Sequence, residues 1–174
     1  MDDQQLWYLG NERLKGLLAD LPVETGYQVT TLLIRYREAK EAVAAIVAHV
    51  DAASVCGECG GQCCLNGKYR INVFDTLARI AAHMPTSADF SQKPACPYGT
   101  DCGCTMEPGL RPADCVLFIC DAIDQMLSPK ARVILSEQEQ FLRDCILELS
   151  FLIGEQTGTP LLLWAAKKVK SNSK

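Results

Sequence analysis

The sequence predicts an all-α fold, a small helical domain interrupted by an irregular cysteine-rich region. Three observations carry that expectation. Apolar residues recur at helical spacing in almost every segment outside residues 56–120. Nine of the ten cysteines fall between Cys56 and Cys120. Residues 85–114 are rich in Pro, Gly, Asp and Cys and show little periodicity. With 174 residues, 48% of them apolar, the chain can bury one hydrophobic core, so residues 1–174 are read as a single domain.

The N-terminal helical part is expected over about 11–53. Leu14, Leu17, Leu18 and Leu21 predict a first helix from Asn11 to Asp20, interrupted by Pro22. From about Val23 to Ala53, Val29, Tyr36, Val43 and Val50 repeat every seven residues, with Leu32, Leu33, Ala39, Ile46 and Val47 between them. This stripe is one face of a long amphipathic helix. It needs a cover, either the C-terminal helices running antiparallel to it or a second copy in a homodimer. Gly57, Gly60, Gly61 and Gly67 then predict a loop. Ile71 and Val73 suggest a short extended piece, and Asp75 an N-cap for a helix carrying Leu77, Ile80 and Ala81. The C-terminal helices are expected over about 113–170. One runs from Ala113 to Leu127, and Ser136 with Glu139 forms a capping box for a second. That helix carries Phe141, Leu142, Cys145, Ile146, Leu149 and Ile153, and Pro160 opens a last one through Trp164.

Charge and targeting signals narrow the class of partner. Seventeen basic against twenty-one acidic side chains give a net charge of −4, which offers no attraction for nucleic acid or an anionic membrane. The start, Met1-Asp2-Asp3-Gln4-Gln5, lacks the basic and apolar stretches of a secretory signal. No window approaches the roughly 18 apolar residues of a membrane span. The expected location is therefore the cytoplasm, where thiols stay reduced and clustered cysteines point to metal rather than to disulfides.

Two clusters have spacings suited to thiolate coordination. The first is Cys56-Gly-Glu-Cys59-Gly-Gly-Gln-Cys63-Cys64. A Cys-x-x-Cys step lets two sulfurs reach one ion, and the glycines leave backbone N–H groups free to bond sulfur. The second is Cys96-Pro97 with Cys102 and Cys104, followed by Cys115 and Cys120. If Cys115 and Cys120 shared a helix they would diverge by roughly 140° around its axis. Cys120, between Ile119 and Asp121, is thus either a ligand or a core thiol. Cys145 lies on an apolar helix face and reads as a core thiol. His49 and His83, each near a helix end, are not read as ligands. Four thiolates leave negative charge to compensate; Arg111 is the leading cation, with Lys68, Arg70 and Lys93 nearby in sequence. A bound metal would also order the long irregular segment.

This arrangement resembles the cysteine-cluster family named for its CxxCxxCC signature and described as a zinc- or iron-chelating domain. The resemblance covers residues 56–120: the opening cluster, the helix after Asn72-Val73-Phe74-Asp75, Cys96-Pro97, Arg111-Pro112 with Cys115, and Phe118 before Cys120. It implies that Cys56, Cys59, Cys63, Cys64, Cys96, Cys115, Cys120 and one of Cys102 and Cys104 hold zinc or an iron–sulfur cluster. Two departures stand out. Three residues, Gly60-Gly61-Gln62, precede the Cys pair where the signature has two, and the stretch from Thr105 to Leu110 is one residue longer than the family's and lacks its aromatic. Cys102 and Cys104 therefore compete for one family position.

The expected function is a metal-binding protein. An iron–sulfur redox protein working with a protein partner, and a thiol oxidoreductase using Cys56 and Cys59, are the alternatives. The βαβ surroundings of a thioredoxin-like site are missing, and no catalytic motif accompanies the ligands, although Glu58 and Glu107 are nearby.

Overall fold

The structure is a computed structural model that describes residues 1–58, 64, 67–90, 96–100 and 103–171, with Ala53 and Gly103 described through their backbone. Among the described residues it is all-α, with eight α-helices and one two-stranded hairpin.

Helix α1 (Asp3–Ala19) begins well before the expected Asn11. Asp2 and Gln5 form a reciprocal capping box: the Gln5 N–H donates to Asp2 Oδ1 at 2.8 Å, and the Asp2 N–H to Gln5 Oε1 at 3.0 Å. The polar start is thus a helix cap, and it brings Trp7 into the core. Helix α2 (Val23–Ala48) follows Pro22 and buries Val29, Leu32, Leu33, Tyr36, Ala39 and Val43, as its periodicity requires. It stops short of Ala53 because the chain turns at Asp51, whose φ of 50° lies in the left-handed region that Asp tolerates. Val50 therefore lies outside α2, yet still packs with Val43, Val116, Leu127 and Leu135. Helix α3 (Ala52–Glu58) continues through Cys56 and Gly57, so the break expected at Gly57 falls later.

A 3₁₀ turn (Gly67–Tyr69) leads into the extended pair Ile71–Asn72. Asn72 bridges Pro160, and the Leu161 N–H donates to the Ile71 carbonyl at 2.8 Å. Helix α4 (Val73–Ala81) is capped by Asn72, not by Asp75. The Asp75 N–H donates to Asn72 Oδ1, and Asp75 occupies the third helical position with its side chain buried. The hairpin pairs β1 (Gly99–Thr100) with β2 (Gly103–Cys104).

The single helix expected over Ala113 to Leu127 is two, α5 (Ala113–Leu117) and α6 (Asp121–Asp124), because Phe118 and Cys120 are extended. Helix α7 (Pro129–Ile153) starts earlier than the Ser136 signal. Ser128 caps it by accepting the Ala131 N–H, Pro129 occupies the first turn, and Gly154 at φ 68° ends it. Ser136 lies within the helix, and Glu139 pairs instead with Arg143. Helix α8 (Leu161–Ser171) follows Pro160, whose carbonyl accepts the Trp164 N–H.

Helices α2 and α7 run antiparallel. Val43 packs with Leu135, the Arg35 guanidinium lies 5.1 Å from the Phe141 ring centroid, and Glu148 shares a shallow surface groove with Glu24, Tyr27 and Thr31. The apolar stripe of α2 is thus covered within the chain, by α7 and α4. Helix α1 packs on α8 at Gly10, where an added Cβ would lie 2.8 Å from Leu161 Cδ1. Among the described residues no helix is long and apolar enough to cross a membrane.

Candidate metal site

The irregular region is anchored from the core side. Tyr98, Met106, Leu110 and Ala113 are buried. The Tyr98 ring leans on Trp7 at 6.1 Å, takes the Arg79 guanidinium at 4.8 Å from its centroid, and its hydroxyl donates to the Ser87 carbonyl at 3.2 Å. Trp7 in turn donates to the Thr86 carbonyl at 2.7 Å, and Arg79 donates to that of Pro85. Part of the ordering expected from metal is therefore supplied by aromatic burial.

The hairpin and the turn before it carry two cysteines. Cys96 opens the turn before β1 and Cys104 ends β2, with Gly99 paired to Cys104. The Gly99 N–H donates to the Cys96 carbonyl at 3.1 Å, and the Met106 N–H donates to Cys104 Sγ at 3.4 Å. A hydrogen bond of the second kind steadies a cysteine that binds metal. Cys115 enters from α5. Burial pushes its thiol up to about 12, with Arg70 opposing the shift and Asp75 and Cys96 adding to it. Burial likewise raises the Cys96 thiol; Arg70 counteracts this, and Cys104 adds to it. Cys96, Cys104 and Cys115 come from different elements.

Arg70 is the cation that opposes the rise of the Cys96 and Cys115 thiols. Its Nη1 donates to the Asp114 carbonyl at 3.5 Å, and its guanidinium lies 5.1 Å from the Phe118 centroid. The expected cation, Arg111, instead donates through Nε to the Met106 carbonyl at 3.0 Å, closing its own loop. Lys68 pairs with Asp3 at 2.5 Å, and Lys93 lies outside the described residues.

The 3₁₀ turn that follows the first cluster in sequence meets the second at Gly67. A Cβ there would lie 2.5 Å from Cys96 Sγ, so the 3₁₀ turn three residues after Cys64 sits directly against the Cys96 side chain. Only a glycine permits that approach. Cys64 is half-buried, and Cys56 is exposed on the last turn of α3. Cys59, Cys63 and Cys102 lie outside the described residues. Cys120 is half-buried at the cap of α6, separated from Cys115 by the extended break, so the two do not share a helix. Cys145 is in the core, as its helical position requires. His49 is an exposed helix cap whose ring meets the Ala45 carbonyl.

The chemistry of the donors fits a thiolate metal: cysteine sulfurs on separate segments, a backbone N–H bonded to Cys104 Sγ, and Arg70 opposing the rise of the Cys96 and Cys115 thiols. Among the described residues alone, however, no three His, Cys, Asp or Glu side chains stand close enough to hold one ion. Two open surface grooves, of about 340 and 460 Å³, are lined by other residues and include no cysteine.

Sequence reasoning missed a buried polar group beneath this site. Lys40 is fully buried on the apolar face of α2; its ammonium donates to Asp75 Oδ1 at 3.1 Å and to the Arg111 carbonyl at 2.7 Å. Tyr36 donates to the same Asp75 oxygen at 3.1 Å. The available signal was position alone, since Lys40 stands four residues after Tyr36 and three before Val43, within the stripe. No family model, curated protein or solved structure matches the chain, so the likeness to the CxxCxxCC family rests on its motifs.

Proposed function

We propose that this chain is a thiolate metal-binding protein, holding zinc or an iron–sulfur cluster through cysteines between 56 and 120. The observation that carries the reading is the bare Gly67, whose 3₁₀ turn, three residues after Cys64, lies against the Cys96 side chain, with Cys104 closing the hairpin that follows Cys96. Cys96, Cys104 and Cys115 would supply ligands from one side. Cys56, Cys59, Cys63, Cys64, Cys102 and Cys120 are the further candidates. A closed thiolate shell would make the metal structural, and an iron–sulfur cluster would supply one-electron chemistry to a protein partner. Arg70 offsets the negative charge that thiolates bring, and the Met106 N–H steadies the Cys104 sulfur.

A thiol oxidoreductase at Cys56 and Cys59 has less support. Cys56 lies in the last turn of α3, where a helix presents carbonyls, whereas an activated cysteine sits where N–H groups point. The reduced cytoplasm remains the compartment that suits these thiols.

Anaerobic purification followed by elemental analysis and ultraviolet–visible spectroscopy tests the proposal. Bound zinc without colour, or iron with sulfide and a broad visible absorption, are the two supporting results. Cys96→Ser and Cys115→Ser should lower the metal content, while Cys145→Ser should leave it intact. Metal-free protein that takes up neither zinc nor a reconstituted cluster overturns the reading.

A further inference from the structure

We infer that Lys40, fully buried and remote in sequence from every cysteine of the two clusters, is a positioning residue that fixes Cys115 in the thiol site. The inference rests on the metal-binding reading. A lysine at the centre of an apolar helix face has no obvious stabilising purpose, because well-packed apolar side chains usually serve as well as a buried ion pair. What an apolar side chain cannot do is bond a carbonyl. Lys40 Nζ reaches the Arg111 carbonyl at 2.7 Å.

That carbonyl is strategically placed. Arg111 is extended, with φ −64° and ψ 151°, and Pro112 after it has no N–H to anchor the chain. Pro112 then accepts the N–H groups of Cys115 and Val116 at 2.9 and 3.1 Å, starting α5. The path from Lys40 to the Cys115 backbone is therefore three bonded steps, through Arg111, Pro112 and the first turn of α5. Two further contacts dock the same segment on α2. Gly109 approaches so closely that a Cβ would meet Glu41 Oε1 at 2.5 Å and Arg37 Cγ at 2.8 Å. Arg37 also pairs with Glu107 at 3.6 Å. Asp75 holds the ammonium from the opposite side, in α4. The buried pair thus joins α2, α4 and the ligand-bearing segment at one point.

The experiment measures the affinity of the folded protein for Zn²⁺ by chelator competition, with Co²⁺ absorption as a probe of ligand geometry. Four proteins are compared: wild type, Lys40→Met, Gly109→Val and Leu142→Ala. Lys40→Met should weaken Zn²⁺ binding by about 10- to 100-fold, the usual effect of losing a group that orients a ligand. Its Co²⁺ spectrum should change in shape. Gly109→Val lifts the same segment without touching the Lys40–Asp75 pair and should weaken binding too, and it decides the matter if Lys40→Met fails to fold. Leu142→Ala truncates a buried side chain of α7 that takes no part in the Lys40–Asp75 and Lys40–Arg111 hydrogen bonds, and should keep the affinity and spectrum of the wild type. Wild-type affinity in folded Lys40→Met overturns the positioning role, as does equal weakening in Leu142→Ala. A wild type that binds neither ion brings down the metal-binding reading and the inference together.

Discussion

Replacing Lys40 by Met should cost the fold several kcal/mol, and the origin of that cost can be worked from the structure. Both side chains of the Lys40–Asp75 pair are 0% exposed. Desolvation lowers the Lys40 ammonium and raises the Asp75 carboxyl, each against the attraction of its partner. Without the ammonium, Asp75 keeps Tyr36 as its side-chain donor, and the Arg111 carbonyl loses the Lys40 bond. Breaking one side of a buried pair costs about 3–5 kcal/mol. For a chain of this size that corresponds to a fall in Tm of roughly 10 °C. Thermal and urea unfolding followed by far-ultraviolet circular dichroism would read it.

The pH dependence of this deficit has a definite sign. Loss of Lys40 removes an attraction that lowers the Asp75 pKa, so the carboxyl moves further up in the folded variant. A raised carboxyl contributes stability below its unfolded pKa and loses it as pH rises through the folded one. The deficit of Lys40→Met relative to wild type should accordingly be smaller in acid than at neutral pH. Adding Asp75→Asn should recover about 1–3 kcal/mol, since the two substitutions remove one interaction. Wild-type stability in Lys40→Met, or strict additivity in the double variant, would refute the reasoning.

Three other outcomes are expected. Gly10→Val should destabilise by about 1–3 kcal/mol through overpacking against Leu161, whereas Gly16→Ala, whose added Cβ meets nothing within 4 Å, should gain about 0.5–1 kcal/mol of helix stability; urea denaturation checks both. Burial pushes the Cys145 thiol from its ordinary value of 9.0 up to about 11, so its contribution is complete below 9 and lost as pH rises through 11. Cys145→Ala should flatten that part of the stability–pH curve, and the native thiol should resist maleimide at neutral pH. Chelation should leave most helical content in place while loosening residues 85–114 more than α2 and α7, as read by amide hydrogen exchange. Within that segment the Arg111 N–H, bonded to Glu107 and Pro108 carbonyls beside the Lys40 anchor, should keep the most protection. Equal loss across helices and segment would show the metal holding the whole domain.

The sequence by itself determined the helical class and the faces that must be buried, because the 3.6-residue period is a local property. The stripe from Val29 to Val43 and the Leu142–Cys145–Leu149 face of α7 are buried as their spacing requires. It also determined where sulfur is concentrated, though not how the sulfurs meet. Helix ends were less legible, because several capping signals compete and packing selects among them. Asp2 with Gln5 caps α1 and Asn72 displaces Asp75 at α4, while Ser136 is passed over in favour of Ser128. Only the tertiary structure decided that Gly67 must be bare to let Cys96 in, and that the Arg111 side chain closes its own loop on the Met106 carbonyl. Only it revealed that Lys40 and Asp75, thirty-five residues apart, are each other's partner. A buried charge has to be satisfied at a few ångströms in space, and separation along the chain says nothing of that distance.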